Sequence, residues 1–232
     1  MYKKNGTNWS LIGFLSPAER NANDGFGTKV SISGNWIAVT ANKAAAGGVA
    51  GAGKVYLYQL NSSGTAVTYH CTLSASVPMA AGNFGRGLCM KGDTQVVGET
   101  QYTGTNSSQS NGKVYVYMRS GNNWNLQATL TATDGQKGDA FLGFSVNFSG
   151  NKLVAGAPYA EMCGAVNHGK AYVFELENGI WHHQAILSNG QYDINDLFGF
   201  SAAIESNNII IGAEPDTYLN HNSHGRLYYF NR

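Results

Sequence analysis

An all-β chain folded as a four-bladed β-propeller, its ring closed by the N-terminal strand, is predicted by three observations. A strand phrase recurs at near-constant spacing, the composition is poor in helix formers, and one outer strand is displaced to the start of the chain. The phrase is GKVYLY (53–58), returning as GKVYVY (112–117), GKAYVF (169–174) and GRLYYF (225–230). Its first glycines are 59, 57 and 56 residues apart, the mark of a repeat architecture. Read alone, Gly48 to Lys54 spells G-x-x-x-x-G-K, the start of a phosphate-binding loop. Val55 then replaces the Ser or Thr that would hold Mg²⁺, and strand-forming residues replace the helix that would cradle phosphate. Lys54 is therefore one copy of a repeated strand opening.

The 232 residues suffice for one sizeable domain. Only 12% are charged and the net charge is +1, which offers no broad electrostatic footprint for nucleic acid. Glycine numbers 30, proline 4, and Tyr with Phe 23, with no amphipathic run of helix length. The three cysteines, Cys71, Cys89 and Cys163, cannot all pair within one chain, and their spacing suggests no zinc site. An odd count fits a reducing compartment or unpaired buried thiols. No secretory signal is visible in Met1–Ser10, no membrane span is expected, and the compartment stays open. The sequons at Asn5, Asn8, Asn61, Asn106 and Asn147 are read as products of an Asn-, Ser- and Thr-rich composition.

Each unit is expected to supply four strands. The first opens with Phe-Gly: FGTKVSI (26–32), FGRGLCM (84–90), LGFSVNF (142–148) and FGFSAAI (198–204). After a tight turn the second reads NWIAVTA (35–41), TQVVGE (94–99), NKLVAGAP (151–158) and NIIIGAEP (208–215). The GKVY strand is third, and its alternation places Val114 and Val116 on one face and Tyr115 and Tyr117 on the other. The fourth carries a Trp six residues before a Leu, in WNLQATL (124–130) and WHHQAIL (181–187), with Val67 in the Trp place of VTYHCTL (67–73).

The remaining copy of that strand is WSLIGFL (9–15), ahead of any Phe-Gly strand. Closure of the ring by 9–15 is therefore predicted, because sealing removes edges that would invite aggregation. The units run about 26–83, 84–141, 142–197, and 198–232 completed by 1–25, one domain spanning 1–232 and expected to be a monomer. Trp9, Trp124 and Trp181 are expected to cover the outer interfaces between blades.

With its in-phase Phe-Gly and Gly-Ala-Pro elements, the chain resembles the FG-GAP repeats of the integrin α-chain propeller and of bacterial repeat proteins. The unit LTATDGQKGDAFLGFSVNFSGNKLVAGAP is the nearest to the bacterial versions. The resemblance implies a partner-binding module, and in integrins calcium held by D-x-D-x-D-G runs between the first two strands. The corresponding turns here, 33–35, 91–94, 149–151 and 205–208, hold at most one carboxylate each, Asp93 or Glu205. Calcium is not carried over, and neither a metal nor any other cofactor is expected.

Enzyme signatures such as G-x-S-x-G and H-E-x-x-H are missing. His182 and His183 alternate on an outer strand and cannot share a metal. The informative feature is loop length. Loops after the second strand, 42–52, 99–111, 157–168 and 213–224, are long and dissimilar. They should share a face with the connections between units, 17–25, 74–83, 131–140 and 188–197. Candidate binding residues on that face are Asn42, Glu99, Gln101, Tyr102, Tyr159, Glu161, His168, Glu214, Asp216, Tyr218 and His221. Asn42, Glu99, Pro158 with Tyr159, and Glu214 should converge at the channel mouth, where Glu99 and Glu214 would favour a cationic ligand segment. The function expected is non-enzymatic binding of a protein or peptide partner, with a glycan-binding lectin as the alternative and a loop-borne enzyme third.

Overall fold

Among the described residues, each of the 17 strands pairs antiparallel with its neighbour in sequence within a sheet, so the fold is a series of up-and-down sheets. In the computed structural model the described residues are 1–17, 19, 21–100, 112–132, 134, 141–190, 194–214 and 225–231. A hairpin opens the chain, β1 (Tyr2–Asn5) with β2 (Asn8–Leu11). The first sheet is β3 (Phe26–Ser33), β4 (Trp36–Ala41), β5 (Lys54–Leu60) and β6 (Val67–Leu73). The second is β7 (Gly87–Lys91), β8 (Thr94–Glu99), β9 (Lys113–Ser120) and β10 (Asn123–Leu130). The third is β11 (Ser145–Ser149), β12 (Lys152–Ala157), β13 (Lys170–Glu177) and β14 (Ile180–Leu187). The fourth has three strands among the described residues, β15 (Phe198–Glu205), β16 (Asn208–Ala213) and β17 (Arg226–Asn231).

The sheets stack face to face, and the alternation within the GKVY strands makes the layers. Val114 and Val116 of β9 join Leu153, Tyr172 and Phe174 of the third sheet in one apolar layer. Tyr115 and Tyr117, facing the other way, join Trp36, Val55 and Leu57 of the first sheet. A third layer sets Val154 and Val173 against Phe198, Ile204 and Ile211. Each fully buried Val, Leu or Phe contributes about 1.5–3 kcal/mol relative to exposure, so three such layers carry most of the stability.

Glycine in the repeated phrases is explained by how closely these layers approach. A Cβ on Gly98 would lie 1.8 Å from the Gly143 carbonyl oxygen, and one on Gly156 would lie 1.9 Å from that of Gly199. The glycine opening the GKVY strand meets the Phe-Gly strand of the next sheet equally closely. A Cβ would be 2.2 Å from Phe84 O at Gly53, 2.0 Å from Leu142 O at Gly112 and 2.2 Å from Phe198 O at Gly169. Backbone hydrogen bonds fasten the same seam, Phe84 N to Ala52 O at 2.8 Å and Phe198 N to His168 O at 3.0 Å. No side chain fits between two backbones in such contact.

The N-terminal segment departs from expectation. Asn8–Leu11 pairs with Tyr2–Asn5 rather than with Arg226–Asn231, so the predicted closing pair is not formed. Met1 and Leu15 instead pack beside Ile37, Val39, Tyr56 and Tyr58 on the outer face of the first sheet. Trp9 is accordingly 64% exposed, against the expectation that it covers an interface. Its counterparts behave as predicted. Trp124 is buried with its ring 5.5 Å from that of Trp36, and Trp181 is partly buried against the layer between the second and third sheets.

Candidate functional site

The loops after the second strands and the connections between sheets meet on one side, where they line a cleft of about 600 Å³. Asn23, Gly25 and Asn83 come from connections, Asn42, Lys43, Thr100 and Tyr159 from loops, and Thr28, Arg86, Phe141 and Phe144 from the strand entries. Three of these hold the same place in their repeats. Thr28, Arg86 and Phe144 each follow the glycine of Phe-Gly or Leu-Gly, where that glycine's positive φ turns the chain onto the next strand. Phe200, the fourth copy, lies ring to ring with Phe144 at 4.8 Å.

Arg86 gives the cleft its character. Its guanidinium carbon sits 3.9 Å from the centroid of the Phe144 ring, a cation–π contact of about 0.5–2 kcal/mol. The side chain is half-buried and has no carboxylate partner among the described residues; burial lowers its pKa, partly opposed by Tyr159. Lys43 adds a second cation on the exposed side. Tyr159 completes an aromatic wall, with its ring 4.8 Å from Phe141 and 6.1 Å from Phe144. Asn42 Nδ2 reaches Asn83 Oδ1 at 3.5 Å, and Asn83 donates to Ala81 O at 2.8 Å.

The expected acidic mouth is not what the structure presents. Glu99 is fully buried, and its Oε2 accepts a 2.6 Å hydrogen bond from the Tyr115 hydroxyl. Burial raises its pKa, opposed by the Tyr115 hydrogen bond and by Lys113. The reason is one residue of phase. Glu99 faces Lys113 in its ladder as Ala157 faces Lys170 and Ala213 faces Arg226, so it points into the sheet packing. Thr100 is the true counterpart of Asn42 and Glu214, and it lines the cleft.

Of the other candidate residues, Asn42 and Tyr159 line the cleft, while His168 is fully buried and Glu161 and Glu214 are exposed and not part of the lining. Gln101, Tyr102, Asp216, Tyr218 and His221 lie outside the described residues. Sequence reasoning missed Arg86, Lys43 and Phe144. The available signal was the residue after each Phe-Gly, which varies as Thr28, Arg86, Phe144 and Phe200 within an otherwise constant frame.

The turns on the opposite side do not fit a calcium loop. Asp93 is held by Arg119, and Glu205 is 3.4 Å from Lys91. Among the described residues no three His, Cys, Asp or Glu side chains gather as metal ligands. The lysine of the GKVY phrase instead ties down the connection entering its own sheet, Lys54 to Glu19 at 3.1 Å and Lys170 to Asp134 at 2.8 Å.

Stacked up-and-down sheets with a loop-borne cleft on one side define a β-propeller repeat protein. The FG-GAP repeat family model matches residues 9–58 and 124–174, so these two stretches are similar to FG-GAP repeats. It is similar to the solved beta-propeller domain of the Trilobed protease from Pyrococcus furiosus, at 12% identity and a TM-score of 0.48, over 89% of this chain and 55% of that one. Pyrococcus horikoshii acylaminoacyl peptidase is also similar, at 8% identity and a TM-score of 0.42, over 88% of this chain and 31% of that one. This chain thus spans about half of the first and a third of the second. Among curated proteins none matches its sequence.

Proposed function

We propose that the protein is a non-enzymatic binding module that takes a protein partner on its long-loop face, at the cleft beside Arg86. The cleft itself is the observation that carries this reading, since three blades contribute lining residues to one concave site. Beside the opposite turn 205–208 lies a smaller cleft of about 240 Å³. The lining of the larger cleft offers cations, amides and aromatic rings, a set suited to recognising a partner.

Cys163 provides the test, being an exposed thiol in the third long loop, whereas Cys71 is half-buried and Cys89 buried. A polyethylene glycol maleimide attached there should abolish capture of partners recovered by pull-down. The same group on an Asn122→Cys, Cys163→Ser protein, on the opposite face, should leave capture intact. Loss only in the second case would place the site on the wrong face.

We also propose that the ring closes within one chain, with the first blade seated on the fourth. The seam glycines support this. Phe26-Gly27 and Gly212 with Gly225 repeat the pattern that joins the other blades, yet Gly27 has no atom within 4 Å of a Cβ position. Apolar side chains line both free faces, with Val30 69% and Leu227 76% exposed. Lys91 and Glu205 join the second and fourth blades at 3.4 Å, a curvature tight enough for four blades. An eight-bladed ring of two chains would hold blades two apart much farther from each other.

A further inference from the structure

We propose that the cleft binds a carboxylate borne by an acidic peptide segment, with Arg86 as its anchor and Lys43 as an outer cation. The inference rests on the long-loop face being the binding surface, and it names the ligand chemistry of that surface. Four cations are neutralised in pairs, Lys54 with Glu19, Lys91 with Glu205, Arg119 with Asp93 and Lys170 with Asp134, while Lys3 and Lys152 donate to the neutral oxygens of Ser63 and Asn207. At the cleft Arg86 and Lys43 have no such partner among the described residues, although Arg86 is half-buried and already poorer in solvating water. The Arg86 guanidinium carbon lies 3.9 Å from the Phe144 centroid, and a carboxylate matches the fork geometry of a guanidinium with two parallel hydrogen bonds.

The remainder of the lining suits a peptide better than a sugar. Stacking of a sugar needs an open aromatic face, and that of Phe144 is covered by Arg86 on one side. Phe141 and Tyr159 are tilted onto each other, with 56° between their planes. Tyr159 and Phe144 give the cleft an apolar wall suited to an aliphatic or aromatic side chain next to the carboxylate. Around them Thr28, Thr100, Asn42 and Asn83 supply hydroxyl and amide groups at the level of a peptide backbone. A volume of about 600 Å³ is ample for a few side chains.

The test is an NMR titration of the full chain with three probes: acetyl-Glu-Phe-Glu amide, its Lys-Phe-Lys counterpart and glucuronate. The glutamate peptide should shift the Arg86 Nε and Phe144 ring resonances saturably, and added salt should weaken it. Arg86→Gln should weaken its binding about tenfold, the cost of a charge-assisted pair. Lys43→Gln, at an exposed position that does not threaten folding, should weaken it less. Equal binding of the lysine peptide, or unchanged binding in both variants, overturns the proposal. Tighter binding of glucuronate at the same resonances overturns it in favour of an acidic glycan. If masking Cys163 abolishes partner capture while the glutamate peptide has no effect, the carboxylate inference falls and the face stands. If masking has no effect either, the face falls too.

Discussion

Gly156 and Gly199 meet so closely that a methyl group on the first would sit 1.9 Å from the carbonyl oxygen of the second. Gly156→Ala should therefore destabilise the protein by about 3 kcal/mol or more, since neither backbone can retreat without opening the layer. Gly150→Ala is the control. Its glycine has a φ of +59° with nothing within 4 Å, so the change costs about 1 kcal/mol of backbone strain alone. Denaturant unfolding that ranks the two in the opposite order would contradict the close-contact explanation. Glu99 makes a second residue-scale prediction. Its folded pKa is raised by burial, so the folded state holds its proton more tightly than the unfolded chain. Its contribution to stability is present below the unfolded value, about pH 4.3, and is lost as pH rises through the folded one. As pH rises above about 4.3, the melting temperature should fall more steeply in the natural protein than in Glu99→Gln, where an amide still accepts from Tyr115. Parallel calorimetric curves would contradict this.

Strands show what a sequence does and does not carry. The alternation of Val114 to Tyr117, the Phe-Gly entries and the three internal outer strands were legible because period and composition fix them locally. All three outer strands also carry a bulge, near Leu57, Leu126 and Val173, which no residue pattern announces. The phase of Glu99 was misread because a one-residue offset in aligning 94–99 with 208–215 looks trivial in letters, yet it turns a side chain from solvent to core. Loop length does not signal Arg86, because the cleft takes part of its lining from strand entries. Aromatic placement gives a clean test at this scale. Trp124→Ala should cost about 3–5 kcal/mol because the ring is buried between the first two blades, whereas Trp9→Ala, at an exposed site, should stay within about 0.5 kcal/mol. A large loss from Trp9→Ala would instead place that ring inside a closed seam.

At the scale of the molecule, three buried layers join four sheets, and Val30 at one end of the series and Leu227 at the other stay exposed. Removal of residues 1–16 should lower the melting temperature and increase dye binding to apolar surface, because Met1 and Leu15 cover Ile37, Val39 and Tyr56. An unchanged melting temperature would show that the segment contributes nothing to the core. Closure within one chain predicts the mass of a monomer in solution, and twice that mass would point to a ring shared by two copies. The binding role depends on which side of this body meets its partner. Hydrogen exchange of the protein with and without a captured partner reads that most directly. Slower exchange is predicted in 42–52, 74–83, 141–144 and 157–168, with none in the turns 33–35, 91–94, 149–151 and 205–208. Protection of those turns with an unchanged cleft would contradict the account.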